Sequence, residues 1–262
     1  MTLQRRPRVI PVLLVKGSGL VKGVRFKKDA YIGDPLNAIR IFNEKEVDEL
    51  IVLDILATVE GRGPDIERVR DWAGECFMPI CYGGGVTTID QMDALFAAGV
   101  EKISINSASV DDRLIGDAAS RFGSQSVVGC IDVRASWFGR RKVVVRRGTR
   151  AIAEDPGAWA RRLRDLGVGE ILLQSIDRDG TMEGYDLELI HEVSAAVDIP
   201  VVALGGAGTV DHLGQGLAAG AAAVAAGSMF VFHGRHRAVL VTYPEQQELN
   251  RLTAASTPGQ LL

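Results

Sequence analysis

Asp132 is the residue of this sequence best placed to act as a general acid or base. It ends an apolar run, SVVGCID (126–132), so it lies where a buried strand reaches its loop. A carboxyl group at the mouth of an apolar site is partly desolvated, which raises its pKa toward values useful near neutral pH. A buried aspartate is also a common hydrogen-bond anchor, and from this residue alone that alternative stays open.

Glycine-rich turns follow four other apolar runs and predict phosphate binding. Glycine lets a phosphate approach backbone N–H groups, and a neighbouring hydroxyl or amide completes the contact. The turns form two pairs with the same spacing, which favours two phosphate sites over ordinary tight turns. We therefore expect a substrate with a phosphate at each end. The residues are Gly83–Gly85, Asn106 with Ser107, Gly205 with Gly206, and Gly227 with Ser228.

Two further polar segments are candidates for substrate contacts. The stretch SIDRDGT (175–181) suits a salt-bridged turn or a functional loop, and its place at a strand end favours the loop. The stretch RASWFGRRKVVVRRGTR (134–150) predicts a solvated β-ribbon. The alternative is that Arg140, Arg141 or Lys142 in this ribbon binds an anionic substrate. The four histidines show no metal-ligand spacing, and we assign them no catalytic role.

The elements that position these residues are eight short apolar runs alternating with amphipathic stretches. Runs that are apolar throughout are typical of parallel strands covered on both faces. Pairs such as Asp34-Pro35 and Asp155-Pro156 favour helix starts. The pattern predicts one (β/α)8 barrel of the α/β class over residues 1–244, and a loosely held C-terminal tail over 245–262. The runs are 9–15, 49–55, 78–84, 102–106, 126–132, 170–176, 199–206 and 222–228.

The two halves of the chain resemble each other, which indicates a duplicated half-barrel. The segment GGGVTTIDQMDALFAAGVEKISINSAS (83–109) parallels GGAGTVDHLGQGLAAGAAAVAAGSMF (205–230). Laying the strands of the two halves over each other places Leu14 on Asp132. Two related halves should bind the two ends of a substrate at symmetry-related positions. Only one of the two corresponding strands ends in an acid, so either half of an acid/base pair has been lost or no such pair existed.

Composition excludes several classes of protein. The chain has 262 residues, 47% of them hydrophobic, and a formal net charge of −3, which argues against a general nucleic-acid binder. Three cysteines without metal-ligand spacing are typical of a reduced, cytoplasmic protein. No apolar run approaches the roughly 18 residues of a membrane span, and no signal peptide opens the chain. We expect a cytoplasmic protein without membrane insertion, metal or cofactor.

Taken together, the motifs resemble the cyclase subunit family of imidazole glycerol phosphate synthase. The resemblance covers roughly residues 8–232, and its most specific part is GVGEILLQSIDRDGTMEGYDLEL (167–189). It also includes LVKG (20–23), EKISINSA (101–108) and GGAG (205–208). The resemblance implies a (β/α)8 barrel that takes ammonia from a glutaminase partner. Such a barrel splits a phosphorylated nucleotide into imidazole glycerol phosphate and an aminoimidazole ribonucleotide.

The resemblance also implies roles for individual residues. According to the resemblance, Asp132 is one of two catalytic aspartates, and Asp179 is the acid that follows strand six. Lys22 is the loop residue that contacts the substrate. The family's phosphate contacts fall on Gly85, Asn106 and Ser107 at one end, and on Gly180, Gly206, Gly227 and Ser228 at the other. Its charged ammonia gate at the opposite barrel face falls on Arg8, Glu49, Lys102 and Glu170. Stability alone is the alternative role for that ring, but four such charges carry a desolvation cost that apolar residues avoid.

The sequence departs from the family pattern at three strand ends. Leu14 stands where the family has its second catalytic aspartate, Gln174 where it has a small hydroxyl residue, and Leu204 where it usually has serine. Because a positioned acid or base contributes about 10²–10⁴-fold in rate, the first departure is not conservative. We expect both phosphate-binding sites to be retained, while the reaction catalysed between them differs from that of the family.

Three functions are consistent with these residues. The first is an ammonia-using synthase or lyase subunit that docks a glutaminase on its N-terminal face and acts on a phosphorylated or nucleotide-sugar-type substrate. Leucine at the end of strand one resembles the paralogues associated with surface-polysaccharide loci, which are thought to help convert a sugar acetamido group to an amidine. The second is the cyclase of histidine biosynthesis itself. The third is a non-catalytic barrel that conducts ammonia to another protein. The sequence favours the first.

Overall fold

The computed structural model describes residues 6–136, 139–153, 155–234 and 236–255. At its centre is a barrel of eight parallel strands. The strands are β1 (Arg8–Lys16), β2 (Leu50–Asp54), β3 (Ile80–Gly83), β4 (Lys102–Ile105), β5 (Val127–Ala135), β6 (Glu170–Ser175), β7 (Val201–Leu204) and β8 (Ala223–Ala226). Each strand pairs with the next, and β8 pairs with β1, so the barrel is closed. The predicted (β/α)8 barrel is confirmed.

One helix follows each strand and covers the outside of the barrel. The helices are α1 (Pro35–Glu44), α2 (Ile66–Glu75), α3 (Ile89–Ala97), α4 (Asp112–Phe122), α5 (Pro156–Asp165), α6 (Leu187–Ala196), α7 (Val210–Ala218) and α8 (Gln246–Ala255). Asp34 and Asp155 cap α1 and α5, and each is followed by a proline in the first turn, as the sequence predicted. Within the described parts of the chain, no helix has the length and hydropathy to cross a bilayer.

Two apolar layers hold the barrel together. The outer layer packs helix side chains such as Phe42, Trp72 and Leu95 against the strands. The inner layer fills the lumen, because alternate residues of each strand point inward. Its members include Ile10, Val12, Ile51, Cys81, Val128, Cys130, Leu172, Val202, Leu204, Ala223 and Ala225. The lumen is therefore apolar between its two ends.

Hairpins extend two of the loops at the C-terminal end of the barrel. The loop-1 hairpin, Gly19–Val24 with Lys27–Gly33, follows β1. The apolar pattern predicted no element there, because the stretch is short and its second strand is largely exposed. The β5 hairpin, Arg141–Val145 with Arg150–Ala153, is the ribbon predicted after strand five. A two-residue pairing of Phe232–His233 with Ala238–Val239 follows β8.

The C-terminal segment corrects one expectation. Residues 245–262 were expected to form a loose tail, yet 246–255 form α8. Leu249 and Leu252 on this helix are buried in the outer apolar layer. Tyr243, just before α8, donates its hydroxyl hydrogen bond to Val9 O of β1 at 2.8 Å. The barrel domain therefore extends through α8, because this helix supplies part of its core; residues 256–262 lie outside the described part.

Candidate functional site

A cavity of about 460 Å³ opens at the C-terminal end of the barrel. Five of the residues predicted from the sequence line it: Gly85, Asn106, Ser107, Asp132 and Asp179. The other predicted substrate contacts lie outside its lining: Lys22, Gly180, Gly206, Gly227 and Ser228. The structure therefore brings the two carboxylates together with one predicted phosphate site and separates them from the other.

Asp132 lies on the lumen side of β5, at the floor of the cavity, and is buried. Burial raises the pKa of this carboxyl group to about 7, and the negative charge of Asp179 adds to the rise. The Cys130 thiol lies 3.7 Å from Asp132 Oδ1. A carboxyl group that titrates near neutrality exists in both forms at working pH, so Asp132 can accept or donate a proton there.

Asp179 follows β6 and shares the cavity with Asp132. Burial raises the pKa of Asp179, while the ammonium of Lys22 acts in the opposite direction. Gln174 Nε2 donates a hydrogen bond to Asp179 Oδ1 at 3.1 Å, and Gln174 pairs with Asp132 in the β5–β6 register. The glutamine that replaces a small hydroxyl residue of the family therefore reaches over to hold the Asp179 carboxylate in place.

The first cradle is the predicted phosphate site formed by Gly85, Asn106 and Ser107. Gly85 has a φ of +72°, where glycine is favoured, and its N–H donates to Thr58 Oγ1 at 3.3 Å. The Ser107 hydroxyl donates to Asn106 Oδ1 at 3.3 Å and accepts from the backbone N–H of Arg146 at 3.0 Å. These residues and Thr58 all face the cavity. The first cradle is thus open, with hydroxyl, amide and N–H groups at its edge.

The second cradle is the predicted phosphate site formed by Gly180, Gly206, Gly227 and Ser228. The loop-1 hairpin covers it. Lys22 Nζ donates to Val12 O at 2.6 Å, and a Cβ on Gly227 would lie 2.1 Å from that Nζ. A Cβ on Gly206 would lie 2.2 Å from Gly184 O. Lys22 Nζ occupies the space over Gly227, and none of the four residues of the second cradle lines the cavity, so the second cradle is closed.

The wall facing Asp132 is apolar. Leu14 ends the inward row of β1, which lies across the barrel from β5. Leu14 pairs with Leu53 of β2, and both line the cavity and pack on the lumen cluster. Leu204 is buried in the same cluster, beside Gln174 in the β6–β7 register. Of the three departures from the family pattern, Leu14 and Gln174 therefore line the cavity with Asp132, and Leu204 packs in the lumen beside Gln174.

The β5 hairpin delivers arginines to the cavity, but not those considered from the sequence. Arg141 forms ion pairs with Asp186, Glu188 and Glu192 on the outside of the barrel. Arg140 and Lys142 line a separate surface groove beside the start of α5. The arginines at the cavity are instead at and just beyond the hairpin tip: Arg146, Arg147 and Arg150. A hairpin that leaves the C-terminal end of a strand carries its tip over the barrel mouth, and the RRGTR stretch at that tip was the available signal.

At the N-terminal end of the lumen, four charged side chains form a closed ring. They are Arg8, Glu49, Lys102 and Glu170. Arg8 donates to both glutamates, and Lys102 Nζ lies 3.0 Å from Glu49 Oε2 and 2.8 Å from Glu170 Oε2. Burial disfavours charge on Lys102, but the two glutamates outweigh it and raise its pKa. Every cation of the ring touches both anions, so the ring satisfies its own charges.

Comparison with known proteins agrees with this architecture. The chain matches the family described as "Histidine biosynthesis protein" over residues 8–237. It is 53% identical to the "Putative imidazole glycerol phosphate synthase subunit hisF2" of Pseudomonas aeruginosa, over 94% of this chain and 98% of that protein. It is 47% identical to a "Putative imidazole glycerol phosphate synthase subunit HisF" of Leptospira borgpetersenii (91% and 95%). It is 45% identical to the "Putative imidazole glycerol phosphate synthase subunit hisF3" of Vibrio vulnificus (93% and 95%).

A closed (β/α)8 barrel with a titratable carboxyl group in its C-terminal cavity is the arrangement typical of barrel enzymes. The matches are near full length and well above 30% identity. The chain belongs to the histidine biosynthesis protein family, among its HisF-like cyclase barrels.

Proposed function

We propose that this protein is an ammonia-using synthase or lyase subunit that receives ammonia from a glutaminase and adds its nitrogen to a phosphorylated substrate. The observation that carries this proposal is the order of polar and apolar groups along the barrel lumen. A ring of four charges closes one end, and a carboxyl group with a pKa of about 7 lies at the other. The apolar layer between them disfavours the passage of ions, and we infer that ammonia, a small neutral molecule, crosses it.

The glutaminase docks on the N-terminal face, where the ring is accessible. Arg8 is 32% exposed at its side chain, whereas Glu49 is 4% exposed. Replacing Lys102 by Ala removes one cation from between two buried glutamates and disturbs the inlet. Turnover with glutamine should fall at least about tenfold, whereas turnover with added ammonium should change little, because ammonium enters from solution.

The matched control for that inlet test is Lys45→Ala, an exposed lysine at the same end of the barrel. Lys45→Ala should leave both activities unchanged. Equal losses with glutamine and ammonium in Lys102→Ala would contradict the inlet and leave the ring a purely structural role.

The substrate of this subunit is a phosphorylated or nucleotide-sugar-type molecule rather than the nucleotide of the histidine pathway. Closing an imidazole ring with two carboxylates is unsupported where Leu14 forms the opposite wall. In an amide-to-amidine exchange, ammonia adds to the acetamido carbon of a sugar and the acetamido oxygen leaves as water. One carboxyl group, Asp132, serves to protonate that oxygen, and no carboxylate is required at the position of Leu14. We therefore place the protein in surface-polysaccharide sugar amidation, in the cytoplasm, alongside its glutaminase.

The test of this assignment is genetic. The unmodified protein, expressed with its glutaminase at normal levels, should not rescue a strain that lacks the histidine-pathway cyclase. Extracts given ¹⁵N-ammonium and this protein should instead contain a labelled phosphorylated sugar, detected by mass spectrometry, which is absent with Asp132→Asn. Robust rescue of histidine growth would overturn the proposal and restore the ordinary cyclase.

A second candidate is a barrel that conducts ammonia to a third protein without catalysing a reaction. The apolar wall of Leu14, Leu53 and Leu204 favours it, since that wall stabilises no developing charge. In that case the label would enter the sugar only when the third protein is present, and Asp132→Asn would not affect incorporation. The effect of Asp132→Asn therefore separates the two candidates.

A further inference from the structure

The tip of the β5 hairpin has an unusual backbone. Arg146, Arg147 and Gly148 are three successive residues with positive φ, at 53°, 57° and 77°. A left-handed conformation costs a non-glycine residue about 1–2 kcal/mol, so two consecutive arginines in it need support from their surroundings. Backbone strain of this kind is typical of functional sites, where the surrounding structure holds side chains in position. The side chains of the tip are therefore candidates for ligand contacts.

Three contacts hold the tip in place, and one of them is to the first cradle. The backbone N–H of Arg146 donates to Ser107 Oγ at 3.0 Å. Arg147 forms an ion pair with Asp29 of the loop-1 hairpin. Arg134 Nη1 donates to Gly148 O at 2.6 Å. The tip is thus fixed directly beside a predicted phosphate site, rather than projecting into solvent.

The anchoring contacts leave two guanidinium groups available. Arg146 uses only its backbone in its contact with Ser107, and Arg150 lies just beyond the tip on the same edge. Among the residues that the structure describes, neither guanidinium has a hydrogen-bond or ion-pair partner. Arg147 and Arg62 also line the cavity but are paired with carboxylates. Two cations of the cavity are therefore left to meet an anion brought by a ligand.

On the opposite side of the barrel, the residues that the structure describes form no comparable anion-binding site open to the cavity. The second cradle is covered by Lys22, whose Nζ donates to Val12 O, and none of its glycines lines the cavity. Negative charge on a ligand is therefore best accommodated at one end of the cavity, where the first cradle and the two arginines adjoin.

We propose that the first cradle together with Arg146 and Arg150 binds a diphosphate, so that the substrate carries two linked phosphates at one end. Gly85 N–H, Asn106 and Ser107 grip one phosphate, and the two arginines grip the other. Guanidinium groups suit this task because each offers a planar set of donors to phosphate oxygens. This inference deepens the proposed function by naming a substrate class, and rests on it only in taking this cavity as the substrate site.

The experiment measures binding of inorganic anions by calorimetry, with no partner, ammonia or substrate present. Pyrophosphate should bind at least about tenfold more tightly than phosphate at equal ionic strength, since a second charged contact set is engaged. Arg146→Ala and Arg150→Ala should each weaken pyrophosphate about tenfold and phosphate much less. Ser107→Ala should weaken both anions. Arg140→Ala, in the same hairpin but away from the cavity, is the matched control and should change neither.

The opposing outcomes are distinct from failure of the proposed function. Equal affinity for the two anions, or no binding of either, would overturn the diphosphate site whether or not the protein uses ammonia. Equal losses in Arg140→Ala and Arg146→Ala would show general attraction of anions to a basic hairpin, and would also overturn it. Conversely, a pyrophosphate preference that depends on Arg146 stands even if no labelled sugar is formed.

Discussion

The two halves of the barrel end in sites that share a backbone plan and differ in what covers it. The first cradle is open to the cavity and adjoins the β5 hairpin tip. The second cradle is filled by the loop-1 hairpin, with Lys22 Nζ over Gly227. The strands show the opposite pattern, because β1 of the first half presents Leu14 to the cavity, whereas β5 of the second half presents Asp132. Asp132, the candidate acid or base, and the open first cradle thus come from different halves.

This difference shows where a duplicated barrel is free to diverge. Strand ends and their glycines are constrained by the closed sheet, so both halves keep them. Loops are not so constrained, and one hairpin from each half decides which cradle admits a ligand. In the structure the two ends of the site therefore differ, with an open cradle at one side, a covered cradle at the other, and Asp132 at the floor of the cavity.

The largest expected effect comes from the acid that only one half retains. Between about pH 4 and pH 7, native Asp132 keeps a proton that the unfolded chain releases, so its burial reduces stability as pH rises. Asp132→Asn removes this penalty. The free energy of unfolding of the variant should exceed that of the wild type by up to about 4 kcal/mol at pH 8, and by nearly nothing at pH 4.

Urea unfolding at both pH values measures this difference. Asp117→Asn, an exposed aspartate on α4, is the matched control and should show no such dependence. A variant that is no more stable than the wild type at pH 8 would show that Asp132 is ionised at little cost in free energy. Asp132 would then not be a carboxyl group with a raised pKa, and the proposed difference between the two halves would be contradicted.

A smaller effect is expected from filling the closed cradle. Gly227→Ala places a Cβ against Lys22 Nζ, and overpacking of this kind costs about 1–3 kcal/mol. In a Lys22→Met background the penalty should shrink by at least about 1 kcal/mol, since the longest-reaching atom is gone. Thermal unfolding of the four proteins gives this coupling.

Gly116→Ala on α4, where a Cβ meets nothing within 4 Å, is the control for that cycle. It should be neutral or stabilising by about 0.4–1 kcal/mol. A Gly227→Ala protein as stable as Gly116→Ala would mean that the loop-1 hairpin moves away freely, and that the second cradle is as open as the first.

The smallest effect is expected from restoring the missing acid. Leu14→Asp returns a carboxyl group opposite Asp132, but Gln174 still holds Asp179 and Leu204 still lines that side. The variant should support at most trace growth of the strain that lacks the histidine cyclase, scored as colony size without histidine. Full rescue would show that one residue separates this protein from that activity, and that the other two departures are incidental.

The sequence predicted best what the sheet itself fixes. Apolar runs and proline-marked helix starts were enough for the barrel, because closing eight parallel strands leaves few alternatives. The residues Arg8, Glu49, Lys102 and Glu170 were predicted to lie together, and they do, because each stands at the start of a strand. The lumen position of Asp132 followed from the same register.

The loops were predicted less well, for a physical reason. That Lys22 folds back onto Val12 depends on a hairpin whose second strand is mostly exposed and has little pattern. That Arg146 faces the cavity while Arg141 faces outward depends on the left-handed turn at the tip. Such choices are made by contacts between distant segments, which no local periodicity records.

The contact between Tyr243 and Val9 has a consequence for how the chain is made. These residues are 234 positions apart, and β8 pairs with β1 immediately beside them. Strand β1 is therefore synthesised more than 200 residues before β8, the strand that covers its second edge. Until then its unpaired edge is a template for association with other chains. During synthesis, the edge of β1 is therefore a surface at risk of association, and pairing with β8 ends that risk.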